Sequence, residues 1–313
     1  MVASGLAPSR AWWNLTFTHV AVALAVLTAI RIVGLYASVV DLYMDESQYW
    51  AWSRELAFGY FSKPPLLAWI IAASDLVCGS GEACVRASSP LMHFATALLV
   101  YAIAEQLYNK QTAAWSALAY GLAPGVIFSA RVISTDVPLL LCWAAALLAY
   151  VKLLPGPNWR WSVMLGVALG LGMLGKYAMI YFLLCAACAA FLDRDARALL
   201  WRPQTWAALG IAAVLLIPNF IWNAENNFMT LRHTGENITG GGLSLDFFSP
   251  FEFIASQFAV IGPAVFATFL YILIRLGKRP VREDWLMLSF AIPPLLLLAV
   301  LSTSRSIHAN WGA

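Results

Sequence analysis

Charge is what this chain has least of. Only 11% of its 313 residues are Asp, Glu, Lys or Arg, against 61% that are hydrophobic, and the mean hydropathy is +0.74. A soluble globular domain is about a quarter charged, so the composition excludes that class and points to a membrane protein. The formal net charge is only +3. No basic cluster interleaved with aromatics supports nucleic-acid binding.

Chemistry-bearing motifs are equally sparse. No His/Cys/carboxylate spacing meets a zinc pattern, and neither a Gly-x-Ser-x-Gly nor a Ser–Lys arrangement points to a hydrolase. The one nucleotide-like run, Gly170-Leu-Gly172-Met-Leu-Gly175, lies in an apolar span without a preceding strand. It reads as a helix-packing stripe, together with Gly166. Of the five cysteines, Cys142, Cys185 and Cys188 sit inside apolar runs and read as small buried hydrophobes. Cys78 and Cys84 flank a short Gly-rich loop; a disulfide there needs an oxidising compartment, and the sequence leaves both states open. No internal repeat is present.

What the chain does have is a succession of long apolar runs. At about 20 residues per crossing, helices are expected near 15–40, 87–108, 112–130, 136–153, 161–175, 177–192, 204–222, 252–275 and 285–302. This predicts an all-α polytopic membrane protein with about nine transmembrane helices in one domain over 1–313. The pair meeting at Gly175-Lys176-Tyr177 is short enough to be one bent element instead. The first run is longer than a signal h-region and lacks a convincing cleavage site, so it reads as a retained anchor. After His308-Ala309-Asn310-Trp311-Gly312-Ala313 the chain is expected to continue.

Lys and Arg orient the spans. With the N-terminus inside, the short internal connections hold Lys110, Lys152, Arg160, Arg194, Arg197, Arg202 and Arg282, which follows the positive-inside rule. None of these connections can house a catalytic domain, so chemistry is expected at the outer face or within the membrane. The outer segments are 41–86 and 223–251. The first is expected to hold two interfacial helices, one over Asp45–Phe58 with Tyr49, Trp52 and Leu56 on a stripe, and one from Pro64-Pro65 to about Val77.

The ionisable residues left at the outer ends are few. Asp45 and Glu46 suit the positive end of a helix dipole, and a capping role alone would explain them. Asp136 would likewise be unremarkable as a helix cap. Two carboxylate sites at one membrane depth, with Lys63, Arg131 and Lys176 at similar depth, make a constellation. Lys176 can also snorkel to the headgroups. Arg31 reads as a headgroup or carboxylate partner, and His93 as a satisfied core histidine.

Five stretches resemble the polyprenyl-phosphate-sugar-dependent glycosyltransferases of the GT-C superfamily. They are Asp45-Glu46-Ser-Gln-Tyr49, Gly59-Tyr60-Phe-Ser-Lys63-Pro64-Pro65-Leu66, Arg131-Val-Ile-Ser-Thr135-Asp136-Val-Pro138, Gly175-Lys176-Tyr177 and Pro218-Asn219-Phe-Ile-Trp222-Asn223. The likeness is to the bacterial branch with aminoarabinose and galacturonic acid lipid A transferases and protein mannosyltransferase relatives. It implies a GT-C-like fold in the bacterial inner membrane, with the active site on the periplasmic side. It further implies Asp45 as the catalytic carboxylate, Asp136 as its support, and Lys63, Lys176 and Arg131 as the donor-phosphate group.

Glu46, Gln48, Tyr49 and Tyr60, with His308 and Asn310 after the last span, are expected to touch substrate. The implied partners are a polyprenyl-phosphate-linked sugar, a lipid, glycan or protein acceptor, and membrane lipids. No organic cofactor is expected, and a divalent metal between Asp45 and the donor phosphate is left open. The chain departs from the family at Gln48, where aminoarabinose enzymes carry Arg, and at Ser62, where some carry Glu. The competing class is a secondary transporter or lipid flippase, against which stand the missing repeat architecture and the charge gathered at one face.

Overall fold

The computed structural model describes residues 15–239, 248–275 and 281–303. His308 and Asn310 lie outside them. The described residues form helices, in order α1 Phe17–Tyr36, α2 Met44–Ser53, α3 Leu66–Cys78, α4 Glu82–Leu107, α5 Lys110–Leu122, α6 Pro124–Ser129, α7 Asp136–Leu153 and α8 Trp159–Gly175. A single 3-10 turn over Tyr177–Ile180 then leads to α9 Tyr181–Leu192, α10 Arg194–Leu200, α11 Pro203–Glu225, α12 Met229–Thr239, α13 Ser249–Val260, α14 Pro263–Arg275 and α15 Arg282–Ser302. Among the described residues no strand occurs.

Five of these helices, α1, α4, α7, α11 and α15, are long and apolar enough to cross a membrane, and α3, α8, α9 and most of α14 are shorter apolar helices. The chain is a multi-pass membrane protein.

Two expected spans are broken, each at a proline. The run over 112–130 divides at Ala123, which is extended (φ −60°, ψ 136°) ahead of Pro124. Proline disfavours helical geometry in the residue before it and has no N–H of its own to donate. The run over 252–275 divides at Gly262, whose φ of +101° ends α13 before Pro263 starts α14. The pair around Lys176 is two elements, because Lys176 is extended between α8 and the 3-10 turn. The second span starts earlier than expected, at Glu82, and carries Pro90 inside it. The interfacial helices are shorter at one end than the reading: α2 stops at Ser53, leaving Leu56 beyond it and exposed.

The centre of the fold is the packing of α7 on α8 and of α8 on α11. Small residues make it possible. A Cβ on Gly166 would fall 2.6 Å from the Ala208 carbonyl oxygen, and one on Gly170 would fall 2.7 Å from the Leu215 side chain. The glycine run is thus a packing stripe, since lipid-embedded helices associate by close backbone approach. A second cluster joins α1 to α4 and α5 through Val20, Leu24, Ala97, Tyr101 and Ala117. His93 is buried there with both ring nitrogens satisfied, Nδ1 by the Tyr120 hydroxyl (2.9 Å) and Nε2 by Ser129 Oγ (3.1 Å). Arg31 donates to the Gly121 carbonyl, a backbone partner the sequence reading did not anticipate.

Direction follows from connectivity. α7 runs away from Asp136 and α8 returns to Lys176, while α11 ends at Glu225 near the loop that holds Lys63. At the other end Arg282 of α15 donates to Asp193 (2.8 Å) and Asp195 (2.7 Å) of the α9–α10 turn. Asp136, Lys176 and the loop that holds Lys63 are therefore collected at one end of the bundle.

Candidate active site

The site starts from a buried ion pair. Arg86, in the first turns of α4, sends Nε and a terminal nitrogen to the two carboxylate oxygens of Glu46 (2.9 and 2.6 Å). Its remaining donors reach the carbonyls of Val40 (2.9 Å) and Asp41 (2.8 Å), just ahead of α2. Glu46 also accepts from the N–H groups of Tyr43 (3.0 Å) and Ile133 (2.8 Å). Both side chains are only 3% exposed. A charge so deeply buried is tolerable when it is paired and hydrogen-bonded; here both Glu46 oxygens accept two bonds each and Arg86 makes four. One carboxylate thus ties α2 to α4 and to the segment leading into α7.

This corrects one expectation directly. Glu46, expected to touch substrate, is buried with both carboxylate oxygens occupied by Arg86 and two backbone N–H groups. Tyr60 is corrected for the same reason. It is buried, its ring stacks on Trp52 at 4.8 Å, its hydroxyl donates toward the carbonyls of Trp52 and Glu55, and it accepts from the Ala57 N–H (3.1 Å). Tyr60 folds the loop that leads to Lys63, whose carbonyl accepts from the Tyr60 N–H (3.2 Å).

Asp45 is the neighbour of Glu46 in the first turn of α2, where the exposed N–H groups favour negative charge. It is exposed and makes no ion pair among the described residues. Gln48, one turn on, is exposed as well, whereas Tyr49 is buried between them and the fold. Burial first, then the charges of Asp45 and Asp136, push the Tyr49 phenol well above its ordinary value. The phenol is therefore a neutral group at the floor of the site, within reach of both carboxylates' fields.

Lys63 and Lys176 arrive from opposite directions. Lys63 precedes Pro64-Pro65, which lead into α3, and Lys176 caps α8. Burial, and then the Lys176 charge, hold the Lys63 ammonium below the ordinary lysine range, while Asp45 and Asp136 pull it the other way. Lys176 Nζ donates to Asp136, at the first turn of α7; both side chains are 22% exposed. Four of the residues singled out from sequence, Asp45, Lys63, Asp136 and Lys176, are thus within one electrostatic neighbourhood. Arg131 is exposed on the turn after α6 and is not among the charges that act on Lys63 or Tyr49.

The segment from α2 to α4 is braced separately. Cys78 and Cys84 form a disulfide with Cα atoms 5.7 Å apart, closing the turn between α3 and α4. Arg54 pairs with Asp75 at 3.0 Å, linking the end of α2 to α3. Among the described residues, no group of three or more His, Cys, Asp or Glu converges to hold a metal ion.

The sequence pattern of the dolichyl-phosphate-mannose-protein mannosyltransferase family matches residues 62–222, which include Lys63, Asp136 and Lys176. The chain belongs to this family. It is similar to the lipid A galacturonosyltransferase RgtD of Rhizobium johnstonii, 34% identical over 285 residues, covering 90% of this chain and 60% of that protein. The lipopolysaccharide core galacturonosyltransferase RgtA of the same organism is 29% identical over 192 residues, covering 59% of this chain and 38% of that protein. The chain therefore spans 60% or less of the length of these curated relatives.

Among solved structures, ArnT from Cupriavidus metallidurans bound to undecaprenyl phosphate shares the fold with a TM-score of 0.74 at 20% identity, over 92% of this chain and 57% of that one. The apo oligosaccharyltransferase of Archaeoglobus fulgidus gives 0.62 at 16% identity, over 95% and 49%. These likenesses establish a GT-C fold for this mannosyltransferase-family chain.

Several residues of this family member took no role in the sequence reading. Arg86 falls in the outer segment 41–86 of the sequence reading, just ahead of the expected span at 87–108, whereas the structure buries it inside α4, where an arginine needs a partner. The backbone N–H of Ile133 carries no sequence signal at all. Asn219, Asn223 and Tyr177 lie within stretches that resemble the family, and they prove to be hydrogen-bonded to one another.

Proposed function

We propose that this chain is the catalytic membrane portion of a glycosyltransferase that moves a sugar from a polyprenyl-phosphate donor to lipid A or lipopolysaccharide core at the outer face of the bacterial inner membrane. The observation that carries the reading is the grouping of an exposed carboxylate, Asp45, which has no ion pair among the described residues, with two ammonium groups, Lys63 and Lys176, at one end of the helix bundle. Support comes from the galacturonosyltransferase relatives and from the shared fold of ArnT, which was solved with undecaprenyl phosphate bound.

The chemistry is direct displacement. Asp45 takes the proton of an acceptor hydroxyl as its oxygen attacks the anomeric carbon. The bond from that carbon to the phosphate oxygen breaks, the electron pair leaves with the polyprenyl phosphate, and the anomeric configuration inverts. A positioned base of this kind contributes about 10²- to 10⁴-fold. Lys63 and Lys176 bind the phosphate and neutralise the charge that it gains on leaving, which is worth more in a site shielded from water. Asp136 holds Lys176 in place until the phosphate arrives, and Arg131 guides the anionic headgroup from the rim. Gln48 and Tyr49 border the space in which the sugar would sit.

The test uses the purified protein in lipid nanodiscs, radiolabelled polyprenyl-phosphate galacturonic acid and a lipid A or core acceptor. Label transferred by the wild type and not by Asp45→Asn supports both the reaction and its base. Label that crosses the bilayer unaltered with both proteins means a flippase, and ordinary turnover by Asp45→Asn removes the base assignment.

A further inference from the structure

One side chain touches both lysine-bearing segments. Asn219 lies on the inward face of α11, buried, where a membrane helix would otherwise carry an apolar residue. Its Nδ2 donates to the Phe58 carbonyl (2.6 Å), in the loop that leads to Lys63. Its Oδ1 accepts from the hydroxyl of Tyr177 (3.0 Å), the residue after Lys176. One turn further along the same face, fully buried Asn223 donates to the Tyr177 hydroxyl (3.4 Å) and to the Asn219 carbonyl (3.0 Å). The Tyr177 hydroxyl therefore has two partners, both from α11.

α11 and the helix after it grip the next two residues of the Lys63 loop. Gly59 lies flat against the Trp222 ring: a Cβ there would come within 2.3 Å of a ring carbon. The Tyr60 carbonyl accepts from the Thr230 hydroxyl. Thr230 follows a joint at which Asn227 and Phe228 have φ values of 55° and 54°, a conformation uncommon outside glycine and one that a bulky side chain adopts only when its surroundings impose it. α11 and the start of α12 thus seize three successive residues, Phe58, Gly59 and Tyr60, and anchor the neighbour of Lys176 with the same amide.

We infer that Asn219 is a positioning residue that sets the separation of the Lys63 and Lys176 ammonium groups, through Phe58 on one side and Tyr177 on the other. The inference rests on the reading of those lysines as the donor-phosphate pair. Two like charges close together repel, so neither lysine would keep this spacing without a brace. Lys176 is restrained by its ion pair with Asp136. Lys63 faces Lys176, Asp45 and Asp136 and has no ion pair among the described residues, so its position comes from the loop that α11 holds. A phosphate bridging both ammonium groups would meet a pair whose backbone positions are already held, which is how pre-organisation raises affinity.

The experiment measures undecaprenyl phosphate binding to the protein in nanodiscs as a function of pH, for wild type, Lys63→Ala, Lys176→Ala, Asn219→Ala and Tyr177→Phe. Tyr177→Phe removes one oxygen and keeps the ring, so it decides the matter if Asn219→Ala fails to assemble. The expected result is about a three- to tenfold loss of affinity, the size of one hydrogen bond, with the alkaline limit of binding moved to higher pH. The pH shift follows because Lys63, relieved of part of the Lys176 charge, holds its proton more tightly.

A folded Tyr177→Phe protein with wild-type affinity and alkaline limit, beside weak binding by the lysine variants, overturns the inference and leaves the phosphate reading standing. A lower affinity with an unmoved alkaline limit also overturns it, because general loosening would do that. Wild-type binding by both lysine variants overturns the phosphate reading and this inference with it.

Discussion

Arg86 and Glu46 are 40 residues apart in sequence and share two hydrogen bonds, of 2.9 and 2.6 Å, at a point from which water is excluded. Glu46 directly follows Asp45 in the first turn of α2. Because Glu46 also takes the Ile133 N–H, the same carboxylate sets the path of the chain from Arg131 into Asp136. Removing one partner leaves an uncompensated charge in the interior, which costs about 3–5 kcal/mol. Glu46→Ala and Arg86→Ala are therefore expected to lower thermal stability strongly and to lose transfer activity. The double variant Glu46→Ala/Arg86→Ala should lose much less stability than the two single losses added together, since neither charge is then stranded. Melting curves of the three variants check this; additive losses would mean that the pair is not a unit.

Asp45→Asn separates chemistry from folding. The side chain is exposed and unpaired among the described residues, and asparagine remains a good residue for a helix start. Thermal stability should stay within about 1 kcal/mol of wild type, while transfer falls by at least about 10²-fold, the loss of a general base. Steady-state transfer assays beside melting curves read both numbers. A matched fall in both would make Asp45 a structural cap.

Lys63 is expected to show the opposite coupling. Its folded pKa is lowered, first by burial and then by Lys176, so the unfolded chain binds its proton more tightly than the folded one. The resulting destabilisation is fully present at pH values below the folded pKa. It is relieved as pH rises toward the unfolded value of about 10.4. Lys63→Met removes the buried charge and keeps the stem, so it should raise thermal stability at pH 7 while weakening undecaprenyl phosphate binding about tenfold or more. The gain in stability over wild type should shrink toward pH 10. A variant less stable than wild type at neutral pH would contradict the sign.

Much of this arrangement is legible in the sequence because the chain is so apolar. Asp45, Lys63, Asp136 and Lys176 stand out as ionisable residues at the ends of hydrophobic runs, and their common depth follows from counting spans. Glycines at 166 and 170 read correctly as packing positions because membrane helices need close approach. Pro124 and Pro263 carry the signal for the two broken spans, but hydropathy alone runs straight through both. What stays hidden is pairing at long range. Nothing near Glu46 distinguishes it from Asp45 until Arg86 arrives from α4, and Tyr60 looks like a substrate contact until the Trp52 ring and three backbone groups claim it. Asn219 is the same kind of case: its partners, Phe58 and Tyr177, are set by how α11 docks.

Gly59 offers the most local test of how the Lys63 loop is held. Its φ is unremarkable, so the demand for glycine comes from the Trp222 ring, 2.3 Å from where a Cβ would be built. No flexible side-chain end is available to give way; the ring is flat and rigid, so either the loop or the indole must move. Gly59→Ala should therefore displace Phe58 and Tyr60 from Asn219 and Thr230, lower stability by about 1–3 kcal/mol in the manner of an overpacked core, and weaken undecaprenyl phosphate binding. Trp222→Leu introduced into Gly59→Ala frees the space and should restore part of both. Stability and binding measured on the single and double variants decide it. If Gly59→Ala alone matches wild type in both, the contact with Trp222 does not hold the loop, and the position of Lys63 must be set from the Pro64-Pro65 side instead.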